Sequence, residues 1–199
     1  MFVREVIVVD NGSSDRTFMV AQHANAKVVF EPRRGYGQAC QAGLRALSDD
    51  TDTVVFLDGD HSDDPEDLPR LLQPIERGEA DLVIGSRVLG RVTSGALTPQ
   101  QRFGNWLACA LITLRFRHHF TDLGPFRAIR RRALMQLGLR DRAYGWNVEM
   151  QLAAVKAGLR TVEVAVGYRP RIGRSKISGT LGGSLRAGVA ILGMILRYW

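Results

Sequence analysis

The octapeptide TVVFLDGD at residues 53–60 is the stretch that decides the fold. Its five β-branched or apolar residues predict a buried strand, and two aspartates separated by one glycine follow directly. Carboxylate oxygens suit hard divalent cations, and Mg²⁺ commonly shares its coordination shell with substrate phosphates. The octapeptide therefore indicates a strand that ends at a cation or phosphate site. The alternative is that the acidic residues only start the helix that follows at residue 65.

The residues on either side of this octapeptide repeat a strand–helix pattern. We predict strands at residues 5–10, 27–31, 53–57 and 81–86, with helices at 16–24, 38–47 and 65–77 between them. Short links and right-handed crossovers then give an α/β fold, with a mostly parallel sheet and helices on both faces. Asp10 and Asp58 each follow a strand, at the edge of such a sheet where ligands bind.

The second half of the chain is less regular. Helices are expected at residues 100–116, 146–157 and 180–199, with a short strand within 123–130 and another at 161–168. Residues 169–178 form a basic loop that contains glycine. The last helix has an apolar stripe that suits either core packing or a membrane surface. No apolar stretch reaches the roughly 20 residues that a bilayer-spanning helix needs.

Composition narrows the class of partner. The chain has 199 residues, of which 45% are hydrophobic, and a formal net charge of +7. These values exclude wholesale disorder and favour an anionic partner, with abundant arginine favouring phosphate. Basic residues are not interleaved with stacking aromatics, so no nucleic-acid partner is expected. Cys40 and Cys109 lack metal-type spacing and are interpreted as free thiols in a reducing compartment.

Six segments, in order, resemble those of family-2 glycosyltransferases, which have the GT-A (Rossmann-like) fold. They are VVDNGSSDRT (8–17), EPRRGYG (31–37), FLDGD (56–60), IGSR (84–87), TDLGPFR (121–127) and RSKI (174–177). The last is similar to the loop of the branch related to dolichyl-phosphate mannosyltransferases. The resemblance implies that residues 1–199 are one catalytic domain. It also implies that the family's first strand is missing, and that supplying this strand would raise stability and nucleotide affinity.

The resemblance also implies roles on the donor side. Asp10 would contact the nucleotide base, Asp58 would lie beside the ribose and the metal, and Asp60 would bind the metal, which is Mg²⁺ or Mn²⁺. Arg87 and Arg102 would face the diphosphate or an acceptor phosphate. In related lipid-phosphate enzymes a glutamine also touches the metal, and here that position is Ser62, a poorer ligand.

On the acceptor side, the resemblance points to Arg127 and to a basic loop, with Arg174, Ser175 and Lys176 as phosphate ligands. A hydroxyl acceptor needs a general base, for which Asp122 and Glu149 are the candidates. The competing interpretations are a turn cap for Asp122, a solvated helix face for Glu149 and a plain solvated loop. Among the histidines, only His61 beside the Asp-x-Asp is a candidate for the site.

Together these observations predict an inverting, metal-dependent hexosyltransferase. Its donor would be a UDP- or GDP-sugar, and its acceptor a polyprenyl phosphate or a sugar hydroxyl. A polyprenyl phosphate implies peripheral membrane contact and a cytoplasmic location at the inner face of the membrane. The alternatives are a nucleotidyltransferase, for which a glycine-rich loop with a lysine near the amino terminus is lacking, and a non-catalytic nucleotide- or phosphate-binding module. An oligomer is compatible with all three.

Overall fold

The computed structural model describes residues 3–173 and 181–198, with residues 181–187 described by their backbone alone. Each strand and helix expected from the sequence is present within a few residues of its expected position, and one short helix, α5, was not expected. The strands are β1 (Ile7–Asp10), β2 (Lys27–Phe30), β3 (Thr53–Phe56), β4 (Leu82–Ser86), β5 (Arg127–Arg130) and β6 (Thr161–Ala165). The helices are α1 (Thr17–His23), α2 (Tyr36–Arg45), α3 (Leu68–Glu76), α4 (Pro99–Phe116), α5 (Arg131–Leu137), α6 (Trp146–Lys156) and α7 (Leu181–Tyr198).

The described strands form two sheets. β1 and β2 pair in parallel, and the other four strands have the order β3-β5-β4-β6. The α/β class is confirmed, but the pairing is mixed rather than mostly parallel, because β5 lies antiparallel between β3 and β4. β3 and β4 still run in the same direction, so their carboxyl ends lie at one edge of the sheet.

Helices cover both faces of the four-stranded sheet, as expected. The strand β4 is buried along its whole length, which explains its unbroken apolar sequence. Leu82 and Ile84 point into a core shared with α4, α6 and α7, whereas Val83 points to the opposite face, against Leu71 of α3. This alternation determines which side chains of β4 face the shared core and which face α3.

The helix α2 connects the two sheets. Gly43 of α2 packs against Val9 of β1, where an added Cβ would lie 3.2 Å from the Val9 side chain. At the start of α2, a Cβ on Gly37 would lie 2.2 Å from the carbonyl oxygen of Asp141, so only glycine fits there. This close approach fixes the neighbouring Tyr36 beside the end of β3.

Candidate active site

The acidic loop after β3 gathers three carboxylates. The backbone N–H of Asp58 donates to Asp63 Oδ2 at 3.2 Å, which folds the loop back on itself. Asp63 is 2% exposed, and its Oδ1 is a buried oxygen with no hydrogen-bond donor among the described residues. Asp60 Oδ1 accepts from the backbone N–H and the hydroxyl of Ser62, at 3.0 and 2.5 Å. The sequence pointed to Asp58 and Asp60, and Asp63 completes the group.

Crowding and burial change the acidity of this group. Burial raises the pKa of Asp58 from 3.8 to about 6, and the charge of Asp60 adds to the shift. Burial, together with the charge of Asp58, raises the pKa of Asp63 to about 7. Both shifts mean that the loop holds more negative charge than its surroundings stabilise. A cation at the loop would relieve that repulsion.

The donor atoms fit a divalent cation that a ligand helps to hold. Within residues 3–173 and 181–198, no three His, Cys, Asp or Glu side chains form a ready-made cation site. Asp58 and Asp60 nevertheless offer oxygen donors, with the unpaired Oδ1 of Asp63 behind them. Mg²⁺ and Mn²⁺ are hard cations that prefer oxygen, and Mg²⁺ usually completes its shell with water and phosphate. These residues therefore suit a cation that also takes ligands from phosphate and water better than a cation enclosed by protein ligands alone.

A basic segment lies directly on the acidic loop. Arg171 Nη2 is 3.0 Å from Asp60 Oδ2, and the backbone N–H of Ile172 donates to the Asp60 carbonyl at 2.9 Å. The backbone N–H of Arg169 donates to the Ser62 carbonyl at the same distance. Arg171 thus balances part of the acidic charge. Arg174, Ser175 and Lys176, the expected acceptor ligands, lie outside the described residues.

Arg87 is held at the carboxyl end of β4 by Asp122. Its backbone N–H and Nε donate to Asp122 Oδ2, both at 2.8 Å, and its Nη2 donates to Oδ1 at 2.6 Å. Its guanidinium also lies 5.0 Å from the centre of the Tyr168 ring. Burial alone would lower the pKa of Arg87, but the Asp122 carboxylate holds it above its ordinary value. The result is a fixed positive charge at the edge of the sheet, suited to an anion.

Asp10 and its neighbour shape the end of β1. Asp10 is 6% exposed and its Oδ1 accepts from the backbone N–H of Ser13 at 2.8 Å. Asn11 accepts from the N–H of Gly35 at 2.8 Å and donates to the carbonyls of residues 31 and 33. This loop leads into Tyr36, whose nearby side chain partly offsets the rise in the pKa of Asp58. The ends of β1 and β3 are thus linked through one loop.

Glu149 is neither on a solvated helix face nor free to act as a base. It is 3% exposed, and its Oε2 accepts from the backbone N–H groups of Arg140 at 3.0 Å and Asp141 at 2.7 Å. The hydroxyl of Tyr198 donates to Oε1 at 3.4 Å. The carboxylate therefore fixes the loop before α6, which in turn contacts the start of α2.

The position of Arg127 contradicts its expected contact with an acceptor. The side chain is fully buried, and its guanidinium donates to the carbonyls of Asn147, at 2.9 Å, and Gly124. Burial lowers the pKa of Arg127 to about 10. The arginine that follows Pro125-Phe126 turns inward because β5 is a central strand covered on both faces.

Two other expected residues are exposed. Arg102 lies in the first turn of α4 and forms no ion pair within the described part of the chain. His61 is exposed in the acidic loop and has a φ of 68°, a conformation that is uncommon for residues other than glycine. The donor-side role of Arg102 stays a prediction.

Comparison with known proteins relates this geometry to a family. The family model for glycosyl transferase family 2 matches residues 3–138. An uncharacterized glycosyltransferase of Mycobacterium tuberculosis is 42% identical over 195 residues, covering 97% of this chain and 84% of that protein. The undecaprenyl-phosphate mannosyltransferase of Micrococcus luteus is 32% identical over 209 residues, covering 98% of this chain and 84% of that protein.

The fold also matches a solved structure. Glucosyl-3-phosphoglycerate synthase from Mycobacterium tuberculosis, in complex with Mn²⁺, uridine diphosphate and glucosyl-3-phosphoglycerate, is 26% identical with a TM-score of 0.73. The match covers 97% of this chain and 69% of that chain.

Proposed function

Because the chain belongs to glycosyltransferase family 2, we propose that it transfers a hexose, with inversion, from a nucleotide-diphosphate sugar to a polyprenyl phosphate. One observation carries the proposal. A crowded carboxylate group at the end of β3 adjoins a basic segment, and a fixed guanidinium, Arg87, lies at the end of β4. Such a site suits a ligand that brings both phosphate and a cation.

On the donor side, Asp58 and Asp60 would hold a divalent cation, and the phosphates of the donor would complete its shell. When bound, the cation would neutralise the negative charge that builds on the departing diphosphate. Asp10 would contact the base, in keeping with its position at the buried end of β1. Arg87 would bind the diphosphate because Asp122 fixes its orientation before the ligand arrives.

On the acceptor side, the contacts of the two candidate bases favour a phosphate acceptor. Asp122 is occupied by Arg87, and Glu149 is occupied by backbone N–H groups. A sugar hydroxyl would need a free base, whereas a polyprenyl phosphate is already anionic. Its oxygen would attack the anomeric carbon from the face opposite the diphosphate, and the carbon–oxygen bond to the nucleoside diphosphate would break.

The basic segment supports the same acceptor. Arg171 lies on the acidic loop, and residues 174–176, which follow it in sequence, carry two more cations and a serine. Cationic side chains with a hydroxyl donor suit a phosphate group. The relative in Micrococcus luteus named for undecaprenyl phosphate supports this acceptor class, as does the resemblance of residues 174–177.

The test is a screen of UDP- and GDP-sugars against polyprenyl phosphates and sugar hydroxyls, with Mn²⁺ or a chelator present. We expect a glycosylated lipid phosphate and one released nucleoside diphosphate per turnover, and both products should disappear with the chelator. Release of pyrophosphate would instead identify a nucleotidyltransferase. Nucleotide binding without turnover on any acceptor would identify a binding module, and either result would overturn the proposal.

The raised carboxyl pKa values predict that stabilisation by a cation depends on pH. Protonation is easier in the folded protein, so these carboxyls stabilise the metal-free fold most below pH 3.8 and lose that effect as pH rises through 6 and 7. At pH 8 both are ionised, and Mn²⁺ at about 100 times its Kd should raise Tm by about 5–10 °C. At pH 5.5 protons compete, and the rise should be clearly smaller. Thermal unfolding with and without Mn²⁺ measures both values, and equal rises at the two pH values would contradict the prediction.

A further inference from the structure

The outer face of α4 exposes large apolar side chains. Phe103, Trp106 and Leu114 are 61%, 62% and 74% exposed, respectively. Their spacing of three and eight residues places them on one side of the helix. The rings of Phe103 and Trp106 lie beside each other at a tilt of 35°, with their centres 5.8 Å apart. An exposed aromatic pair on an otherwise regular helix is unusual for a surface that meets only water.

The helix α7 extends this face. It packs along α4, and both helices bury their inner residues in the same core, Ile112 from α4 and Ile195 from α7. The outer residues of both helices therefore point away from that core. On α7 these include Val189 and Leu196, which are 63% and 64% exposed. We call this surface, formed by Phe103, Trp106, Leu114, Val189 and Leu196, the α4–α7 face.

The charged side chains within α4 and α7 are all of one sign. Neither Pro99–Phe116 nor Leu181–Tyr198 contains an aspartate or a glutamate. Arg102, Arg117 and Arg197 are exposed near the helix ends, and none pairs with a carboxylate in the part of the chain that the structure describes. Apolar side chains flanked by arginine, on helices without acidic residues, are typical of segments that lie in the interface of an anionic membrane.

The α4–α7 face is also tied to the candidate site. Asn105, between Phe103 and Trp106, donates to the Thr121 carbonyl and accepts from the N–H of Leu123, both at 2.9 Å. These two residues flank Asp122, which orients Arg87. Docking of α4 on a bilayer would therefore hold this edge of the sheet at a fixed position relative to the bilayer.

We propose that the α4–α7 face docks on the surface of a bilayer that contains anionic lipids. The proposal deepens the proposed function and rests on it, because a polyprenyl phosphate carries its phosphate at the same surface. Among the described helices, none has the length and hydrophobicity to cross a membrane. The paired aromatic rings enter the boundary between headgroups and acyl chains, and the arginines contact lipid phosphates.

The experiment is sedimentation of the full chain with phosphatidylcholine vesicles, with or without phosphatidylglycerol. We expect binding to the anionic vesicles that weakens as NaCl is raised. The double variant Phe103→Ser, Trp106→Ser should weaken binding by about tenfold or more, since two aromatic rings leave the interface. The matched control is Val20→Ser, Met135→Ser, which removes two side chains of similar exposure, 64% and 68%, on α1 and α5. It should bind within about twofold of the parent protein.

A second variant tests the charge contribution. Arg102→Gln, Arg117→Gln should lower affinity for anionic vesicles by about fivefold per arginine, with no change for neutral vesicles. All variants alter exposed side chains, and matching thermal unfolding curves would show that they fold.

Three results would overturn docking: no vesicle binding by the parent protein, equal losses in the aromatic variant and its control, or a stable dimer that the aromatic variant dissociates. Transfer to a polyprenyl phosphate dispersed in detergent separates the two proposals. Turnover there without vesicle binding rejects only the docking, whereas vesicle binding without turnover on any lipid phosphate rejects only the proposed acceptor.

Discussion

Asp60→Ala should lower kcat/KM for sugar transfer by about 10³-fold or more, because several kcal/mol of charge stabilisation at the departing diphosphate would be lost. The Asp60 side chain ends the octapeptide that decides the fold, and it is 3.0 Å from Arg171. Its removal takes away one of two oxygen donors and leaves the cationic side chain without its partner. Nucleotide-sugar turnover with saturating Mn²⁺ measures the loss.

The matched control for this variant is Glu66→Gln, which removes an exposed carboxylate from the same acidic stretch. It should retain activity within about twofold of the parent enzyme, because salt and water screen an exposed charge. Titration of Mn²⁺ against each protein supplies an independent readout. An Asp60→Ala enzyme that keeps metal-dependent turnover would remove Asp60 from the cation site.

The donor half of the site could be predicted from the sequence because it depends on local patterns. A β-branched run followed by polar residues marks the end of a strand, and parallel strands bring their ends to one edge. Asp10, Asp58 and Arg87 each follow such a run, so the amino-acid pattern alone places them at the ends of strands. The resemblance to a family then attaches a chemical role to each.

The rest of the fold and of the site depends on contacts between segments that are distant in sequence. The periodicity of apolar residues does not encode such contacts. The position of β5 between β3 and β4 depends on which strands pair, and the sequence pattern does not specify this. This pairing brings Asp122 to Arg87, which is 35 positions away in the sequence. The inward turn of Arg127 follows from the same pairing. The acidic neighbours of Asp63 favour a helix start, and only the fold of the loop places this residue behind Asp58.

Asp122→Asn should destabilise the protein by about 3 kcal/mol, because it leaves the largely buried charge of Arg87 without its partner. For a chain of this size, the drop in Tm should be about 6–12 °C. The loss of orientation should also lower kcat/KM by about 100-fold, mainly through weaker binding of the donor diphosphate. Thermal unfolding and the KM for the nucleotide sugar are the two measurements.

These readouts distinguish a positioning residue from a base. If Asp122 accepts a proton from the acceptor, Asp122→Asn lowers kcat and leaves stability and donor KM unchanged. The double variant Arg87→Gln, Asp122→Asn sharpens the distinction, because it removes both charges and leaves none unpaired. It should be more stable than Asp122→Asn alone and yet transfer sugar no faster, since the guanidinium that meets the diphosphate is gone. A double variant as unstable as the single one would show that packing, not the ion pair, explains the burial of Asp122.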